Sequence, residues 1–339
     1  KQTSHGHYDI PRLKESCINL QILIIWVSSK SVEPDFFNKA NRMYDELEKL
    51  SKNEGVIIPK KLQDILDGVN DNKLLLPISM EGGEAIENNL EYLYHFISRG
   101  LFYLGPTWNH SLDWVSSNYD EKYNKTKLKT IGLSSFGKEV INICQENKVL
   151  IDVSHIGETS FWDIEKISHK PFIASHSSVH KICPHFRNLH DDQIIAIRNN
   201  KGLIGINPYP FFIDPTFKER ESTARNQYKE KIKSIEIQYP KKSSQWLAKQ
   251  HFFQKELANV CPDLDIFIDH MEYIIKLAGI DYVGVGSDYD GLDCLPKDWN
   301  DCRDHIKIAE RLESRGYNQE EIEKVMGKNI LRVLEEINY

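Results

Sequence analysis

A single (β/α)8 barrel spanning residues 1–339 is the fold class that this sequence predicts. Three observations predict it. Short β-branched apolar runs recur along the chain. Helical patterns fill the intervals between them, as in folds where strands and helices alternate. The runs are apolar on both faces, as strands are when helices cover a parallel sheet. A length of 339 residues would allow two domains, but it is ordinary for one barrel.

The strands are expected at residues 20–26 (LQILIIW), 74–79, 101–107, 149–154, 171–175, 203–207 and 282–287. Phe36, Ala40, Met43, Leu47 and Leu50 form the apolar stripe of a first helix. Ile86, Leu90, Leu93 and Ile97 form another, which Gly100 can end. Phe136, Val140 and Ile143 follow a cap at Ser134 or Ser135. Ile330, Val333, Leu334 and Ile337 are the apolar positions of a closing helix. Seven strands are one short of a closed barrel, so one is hidden or absent. Residues 208–262 break the rhythm: they are polar and highly charged, with one good helical stretch near Trp246 to Leu257. This segment reads as an excursion on the barrel, not a second domain.

With 43 Lys plus Arg against 50 Asp plus Glu, the formal charge is −7. That balance argues against a nucleic-acid footprint, which needs a basic face. A 40% hydrophobic content supports a large core, and a 27% charged content excludes wholesale disorder. No apolar run approaches the length of a membrane span. No apolar signal segment precedes Ser4-His5-Gly6-His7, so the compartment, cytoplasmic or exported, stays open. Six cysteines are scattered without a C-x-x-C pair, which disfavours a thiolate zinc site and reads as buried free thiols. Cys294 and Cys302 are close enough in sequence to bridge in a secreted protein.

The chemistry sits at the strand ends. Glu81 follows LLLPISM, His155 follows VLIDVS, His176 follows PFIAS and Asp288 follows YVGVGS. In a barrel the carboxyl ends of the strands share one rim, so the four side chains converge there. Two imidazoles and one carboxylate, with a fourth position open for water, make the catalytic pattern of zinc. Asp288 beside them could take and return a proton. Each residue alone has a plain alternative: a hydrogen-bonded structural histidine, a capping aspartate, a Glu-Gly-Gly turn. Repetition at four strand ends favours a metal-dependent hydrolase.

Longer blocks carry a resemblance. Glu81-Gly82-Gly83, Asp152-Val153-Ser154-His155, Ser175-His176-Ser177-Ser178 and Arg187-Asn188 with Asp191-Asp192 occur in that order. Gly286-Ser287-Asp288-Tyr289-Asp290-Gly291 and the tail Gly327-Lys328-Asn329-Ile330-Leu331-Arg332-Val333 follow. Together, over nearly the whole chain, they resemble the membrane (renal) dipeptidase family. The resemblance implies a distorted TIM barrel with a two-zinc centre that hydrolyses dipeptides, often with a D-residue at the C-terminal position, and a homodimer. It implies that Glu81 bridges both metals, that His155 and His176 hold one of them, and that Arg187 binds the substrate carboxylate. Asp288 would manage the proton and help hold the substrate amine.

Three departures accompany it. His7-Tyr8-Asp9 has the spelling of the family's other metal pair, but no apolar strand precedes it and too few residues separate it from the 20–26 strand for a parallel crossover. GHYDIPRLKE better resembles the block before the family's second strand. His7 and Asp9 are therefore expected in a loop without a metal role, the first strand is expected to be missing, and one of two metal sites is expected to be retained. Trp108, in Thr107-Trp108-Asn109-His110, stands where many members carry a histidine that steadies the reacting oxygen, and His110 reads as a solvent-facing loop residue. Tyr289 replaces the usual Phe and is expected to matter little. Two rival functions share this reading: another amidohydrolase, such as a deaminase or lactam hydrolase, and a non-catalytic binding protein on the same scaffold.

Overall fold

The computed structural model describes residues 3, 6–28 and 35–339. Nine strands are found among them: β1 (Leu23–Trp26), β2 (Val56–Ile57), β3 (Leu74–Leu75), β4 (Ile78–Glu81), β5 (Tyr103–Gly105), β6 (Leu150–Asp152), β7 (Phe172–Ala174), β8 (Leu203–Ile206) and β9 (Val283–Val285). Seven of them form one sheet in the order β1-β4-β5-β6-β7-β8-β9. The pairings from β1 through β8 are all parallel. Helices fill the intervals between the strands, so the predicted α/β architecture and its seven main strands are observed.

The stretch expected as one strand at 74–79 is two. Leu74–Leu75 pairs with Val56–Ile57 in a separate ribbon, and the main strand starts at Ile78. Pro77 stands between them and has no N–H to offer a ladder. The main strand then runs through Glu81, which faces Trp26 on one side and Gly105 on the other.

By contact density the chain forms two compact units. One comprises Asn19–Ser175, Asp192–Ile204 and Gly327–Tyr339. Its core gathers Tyr103, Leu150, Ile173 and Leu203, residues near the starts of four successive strands, against Val333, Leu334 and Ile337 of the closing helix Asn329–Ile337. Burying each such aliphatic side chain stabilises the fold by about 1.5–3 kcal/mol. The strand starts are thereby sealed by apolar packing, which leaves the opposite ends for polar groups. The helix Ser135–Glu146 begins at Ser134, whose hydroxyl accepts the Gly137 N–H. Ile86 is not in the helix expected for it: it closes a 3-10 turn, Glu87 and Asn88 take positive φ, and the helix Leu90–Ser98 starts afresh at the cap Asn89.

The other unit comprises Lys1–Ile18, His176–Asp191 and Gly205–Met326. Here the excursion is more regular than its composition suggested, with four helices, Pro210–Ile213, Phe217–Gln227, Lys229–Gln238 and Lys242–Glu256. Phe217, Ala224, Phe253 and Leu257 bury together with Cys261 and Cys294. The helix Ile10–Glu15 begins at Asp9. No described residue before Leu23 forms a strand; residues 1, 2, 4 and 5, and with them Ser4 and His5, lie outside the described residues. All six cysteines are free thiols, five of them buried, so the bridge considered between Cys294 and Cys302 does not form. Among the described residues no helix is long and apolar enough to cross a membrane.

The turn into β8 sets a testable packing limit. A Cβ added at Gly202 would run into the carbonyl oxygen of Phe172 on the adjacent strand β7 and the side chain of Ile197. Gly202→Ala is expected to lose about 1–3 kcal/mol. A denaturant midpoint equal to that of the parent would contradict this.

Candidate metal centre

Four strand ends carry the residues singled out by the sequence. Glu81 is the last residue of β4, and the chain turns away at once because Gly82 takes φ 93°, a conformation that favours glycine. The Gly82 and Gly83 N–H groups donate to the carbonyls of Gly105 and Pro106, which ties this turn to the end of β5.

The two histidines are set by a shared buried carboxylate. Asp152 ends β6 and is 2% exposed. Its Oδ1 accepts the Ser154 N–H (3.1 Å), the Ser154 hydroxyl (2.7 Å) and the Ser175 N–H (2.8 Å). Its Oδ2 accepts the Ser175 hydroxyl at 2.6 Å. Each serine directly precedes a histidine, His155 or His176. The main chain of His155 is held further, because its carbonyl accepts the Thr107 hydroxyl (3.1 Å) and the Asn118 N–H (3.0 Å).

His155 Nε2 stands 3.0 Å from Glu81 Oε1. His176 is one peptide bond beyond Ser175, so the end of β7 places it. One ligand atom from each of Glu81, His155 and His176 lies within 4.8 Å of the others. Both imidazoles are buried and the carboxylate is partly exposed. Donors at zinc-ligand distances round a tetrahedral ion stand about 3.4 Å apart, so this borderline donor set fits one divalent cation after small side-chain adjustments.

Trp108 lies beside this cluster, with ring centroids 6.4 Å from His155 and 4.9 Å from Trp26. His110 is partly exposed, packs against Tyr119 and has its Nδ1 3.9 Å from Asp120. Glu84 was not anticipated. Burial, with the charge of Glu81 adding to it, pushes its carboxyl up to about 7. Its signal was the second acid in Glu81-Gly82-Gly83-Glu84.

Arg187 and Asp288 belong to the other unit. Arg187 is 4% exposed, which excludes the surface ion-pair alternative, and its guanidinium lies 5.6 Å from the Phe212 ring centroid. Asp288 follows β9 with φ 48°, and its Oδ2 accepts the Asn207 side-chain N–H at 3.0 Å. Asn207 ends the LIGIN run and also reaches the His176 carbonyl at 3.5 Å. The signal that found the histidines, a polar residue closing an apolar strand, marks Asn207 equally. Tyr289 is more engaged than expected: its buried hydroxyl accepts the Trp299 Nε1–H at 2.9 Å and lies 3.3 Å from His305 Nδ1.

Asp9 does not join the cluster. It caps its helix and pairs with Arg12 at 2.9 Å. Burial works against its charge, but hydrogen bonds from Thr3 and Arg12 hold its carboxyl down at about 2.

The sequence model for membrane dipeptidase (peptidase family M19) matches residues 1–339. Dipeptidase 3 of Homo sapiens is 23% identical over 335 residues, covering 98% of this chain and 59% of that protein. An uncharacterized protein from the PQQ-III 3′ region of Acinetobacter calcoaceticus is 39% identical over 162 residues, covering 48% of this chain and 50% of its own length. The matches thus span 50% and 59% of the length of these two relatives. The crystal structure of a metallopeptidase from Rhodobacter sphaeroides, liganded with a phosphinate mimic of the dipeptide L-Ala-D-Ala, superposes with a TM-score of 0.79. It is 22% identical and covers 99% of this chain and 92% of that one, a likeness of fold.

The segment from His176 to Arg187 is steadied by another buried histidine. His270 Nδ1 accepts the Val179 N–H at 3.0 Å, and its Nε2 lies 3.0 Å from the Ile213 carbonyl. Burial pushes its pKa down from 6.5 to about 4. The unfolded chain binds this proton below pH 6.5 while the fold refuses it until about 4, so this contribution is intact above pH 6.5 and is lost as pH falls towards 4. The loss amounts to about 3 kcal/mol. His270→Gln is expected to flatten the fall of the urea midpoint between pH 7 and pH 4.5, and an unchanged slope would contradict the assignment.

Proposed function

Because the chain belongs to the membrane dipeptidase family, peptidase family M19, we propose that it is a metal-dependent hydrolase of dipeptides. The observation that carries this reading is the convergence of Glu81, His155 and His176. Zn²⁺ is the proposed cation, one at this cluster, where the intact family site takes two. When bound, such an ion polarises a carbonyl and lowers the pKa of a water.

The chain's own residues supply the rest. His155 and His176 offer imidazole lone pairs from the ends of β6 and β7, and Glu81 offers a carboxylate from the end of β4. Their backbones are tied to neighbouring strands, so the donors are oriented before any ligand arrives. Asp288 is the proton carrier: it takes a proton from the attacking water and hands it to the amine that leaves. The amide C–N bond breaks, the acyl carbon gains the hydroxyl oxygen, and the amine gains the proton. The Asn207 amide supports this role by holding one carboxylate oxygen of Asp288. Arg187 binds the C-terminal carboxylate of the substrate. A buried guanidinium braced by an aromatic ring is preorganised for two-point contact, and it limits substrates to those whose free carboxylate lies close to the scissile bond. A homodimer belongs to the same proposal.

A panel of dipeptides assayed with Zn²⁺, with and without chelator, tests the reading on the full chain; turnover that survives complete chelation would overturn it. Asp288→Asn is expected to keep its metal and lose turnover by about 10²–10⁴-fold. Parent-like turnover in that variant would remove Asp288 from the reaction. Arg187→Ala is expected to raise KM about tenfold or more for free dipeptides, with amidated dipeptides unaffected. Equal effects on both substrates would remove Arg187 from carboxylate binding.

A further inference from the structure

We propose that His7 is a positioning residue, which clamps Asp290 and thereby fixes the turn that presents Asp288. The inference rests on the reading of Asp288 given above. Asp288 and Asp290 both sit in the left-handed region, with φ 48° and 65°. Aspartate tolerates that conformation better than most non-glycine residues, so contacts from outside the turn decide how firmly it is held. Within the turn itself, the Gly291 N–H donates to the Asp288 carbonyl at 3.0 Å.

The outside contact comes from the far end of the chain. The His7 backbone N–H donates to Asp290 Oδ1 at 2.6 Å, and the Asp290 backbone N–H donates to His7 Nδ1 at 2.9 Å. These two bonds close a ring between residues 283 positions apart. Because Nδ1 is the acceptor, the ring proton sits on Nε2. His7 is 0% exposed, its carbonyl accepts the Cys302 N–H at 3.0 Å, and its ring packs 5.8 Å from that of Tyr289, the residue between the two aspartates. The His7 side of the clamp is enclosed, and its two hydrogen bonds tie both the Asp290 main chain and its carboxylate to residue 7. Asp288, two residues before Asp290, is then aimed by backbone on one side and by Asn207 on the other. His7 touches no reacting atom in this scheme. It acts through Asp290.

The test uses the full chain loaded with Zn²⁺ and a dipeptide substrate. His7→Leu removes the imidazole acceptor, while His7→Asn keeps an acceptor oxygen near the place of Nδ1. His7→Leu is expected to lower kcat by about 30-fold or more with KM within about threefold. Amide hydrogen exchange at Asp290 should quicken by about 100-fold. His7→Asn should recover kcat to within about fivefold of the parent. If His7→Leu does not fold, Asp290→Ala removes the carboxylate that the His7 N–H reaches, and a kcat lowered about tenfold at steady KM is expected. Parent-like kcat in His7→Leu or, where that variant does not fold, in Asp290→Ala overturns the proposal, as does a loss in His7→Asn equal to that in His7→Leu. Full turnover in Asp288→Asn overturns the reading of Asp288 alone. The clamp is then judged by exchange at residues 288–291, where parent-like protection in His7→Leu overturns it.

Discussion

The Asp152 carboxylate is the constraint on which the candidate metal centre depends. Four donors from Ser154 and Ser175 converge on its two oxygens inside the protein. A carboxylate has about four acceptor sites, so this one is fully used. Its satisfaction repays the cost of burying it, and a buried polar network that is complete specifies one arrangement. That arrangement joins the ends of β6 and β7 just before each histidine. The main chain leading into each candidate ligand is thus held by hydrogen bonds.

The two ends of the strands divide the labour. Apolar residues at the starts of β5 to β8 pack against the closing helix, which makes that end a rigid floor. At the other end the side chains are acid, hydroxyl, amide and imidazole. Burying such groups is costly unless each finds a partner. Several find partners in one another and in the backbone, as Thr107 does with the His155 carbonyl and Asn207 with Asp288. Trp108 and Trp26 add aromatic rings near His155.

Much of this was legible in the sequence because periodicity and strand-end polarity are local signals. The seven main strands, the closing helix and the convergence of Glu81 with His155 and His176 follow from short runs of residues. What escaped depends on contacts distant in sequence. His7 lies outside every helix and strand, as expected, but it is fully buried and its ring accepts the Asp290 N–H, which nothing local in the sequence reveals. Asp152 read as part of a motif, since nothing local reveals that Ser175 reaches it. Asn207 obeys the rule that found the histidines, a polar residue closing an apolar strand, but its partner Asp288 is distant in sequence. Ile86 fitted the helical stripe, but Glu87 and Asn88 adopt positive φ and break it. The excursion hid its helices because charged and polar residues interrupt the apolar stripe.

The most direct test of the account is metal affinity, measured by calorimetry on the full chain and on Glu81→Ala, His155→Ala and His176→Ala. The parent is expected to bind Zn²⁺, and each substitution to weaken the same site by about tenfold or more, with the fold retained by circular dichroism. Zn²⁺ binding of parent strength in all three variants would contradict it.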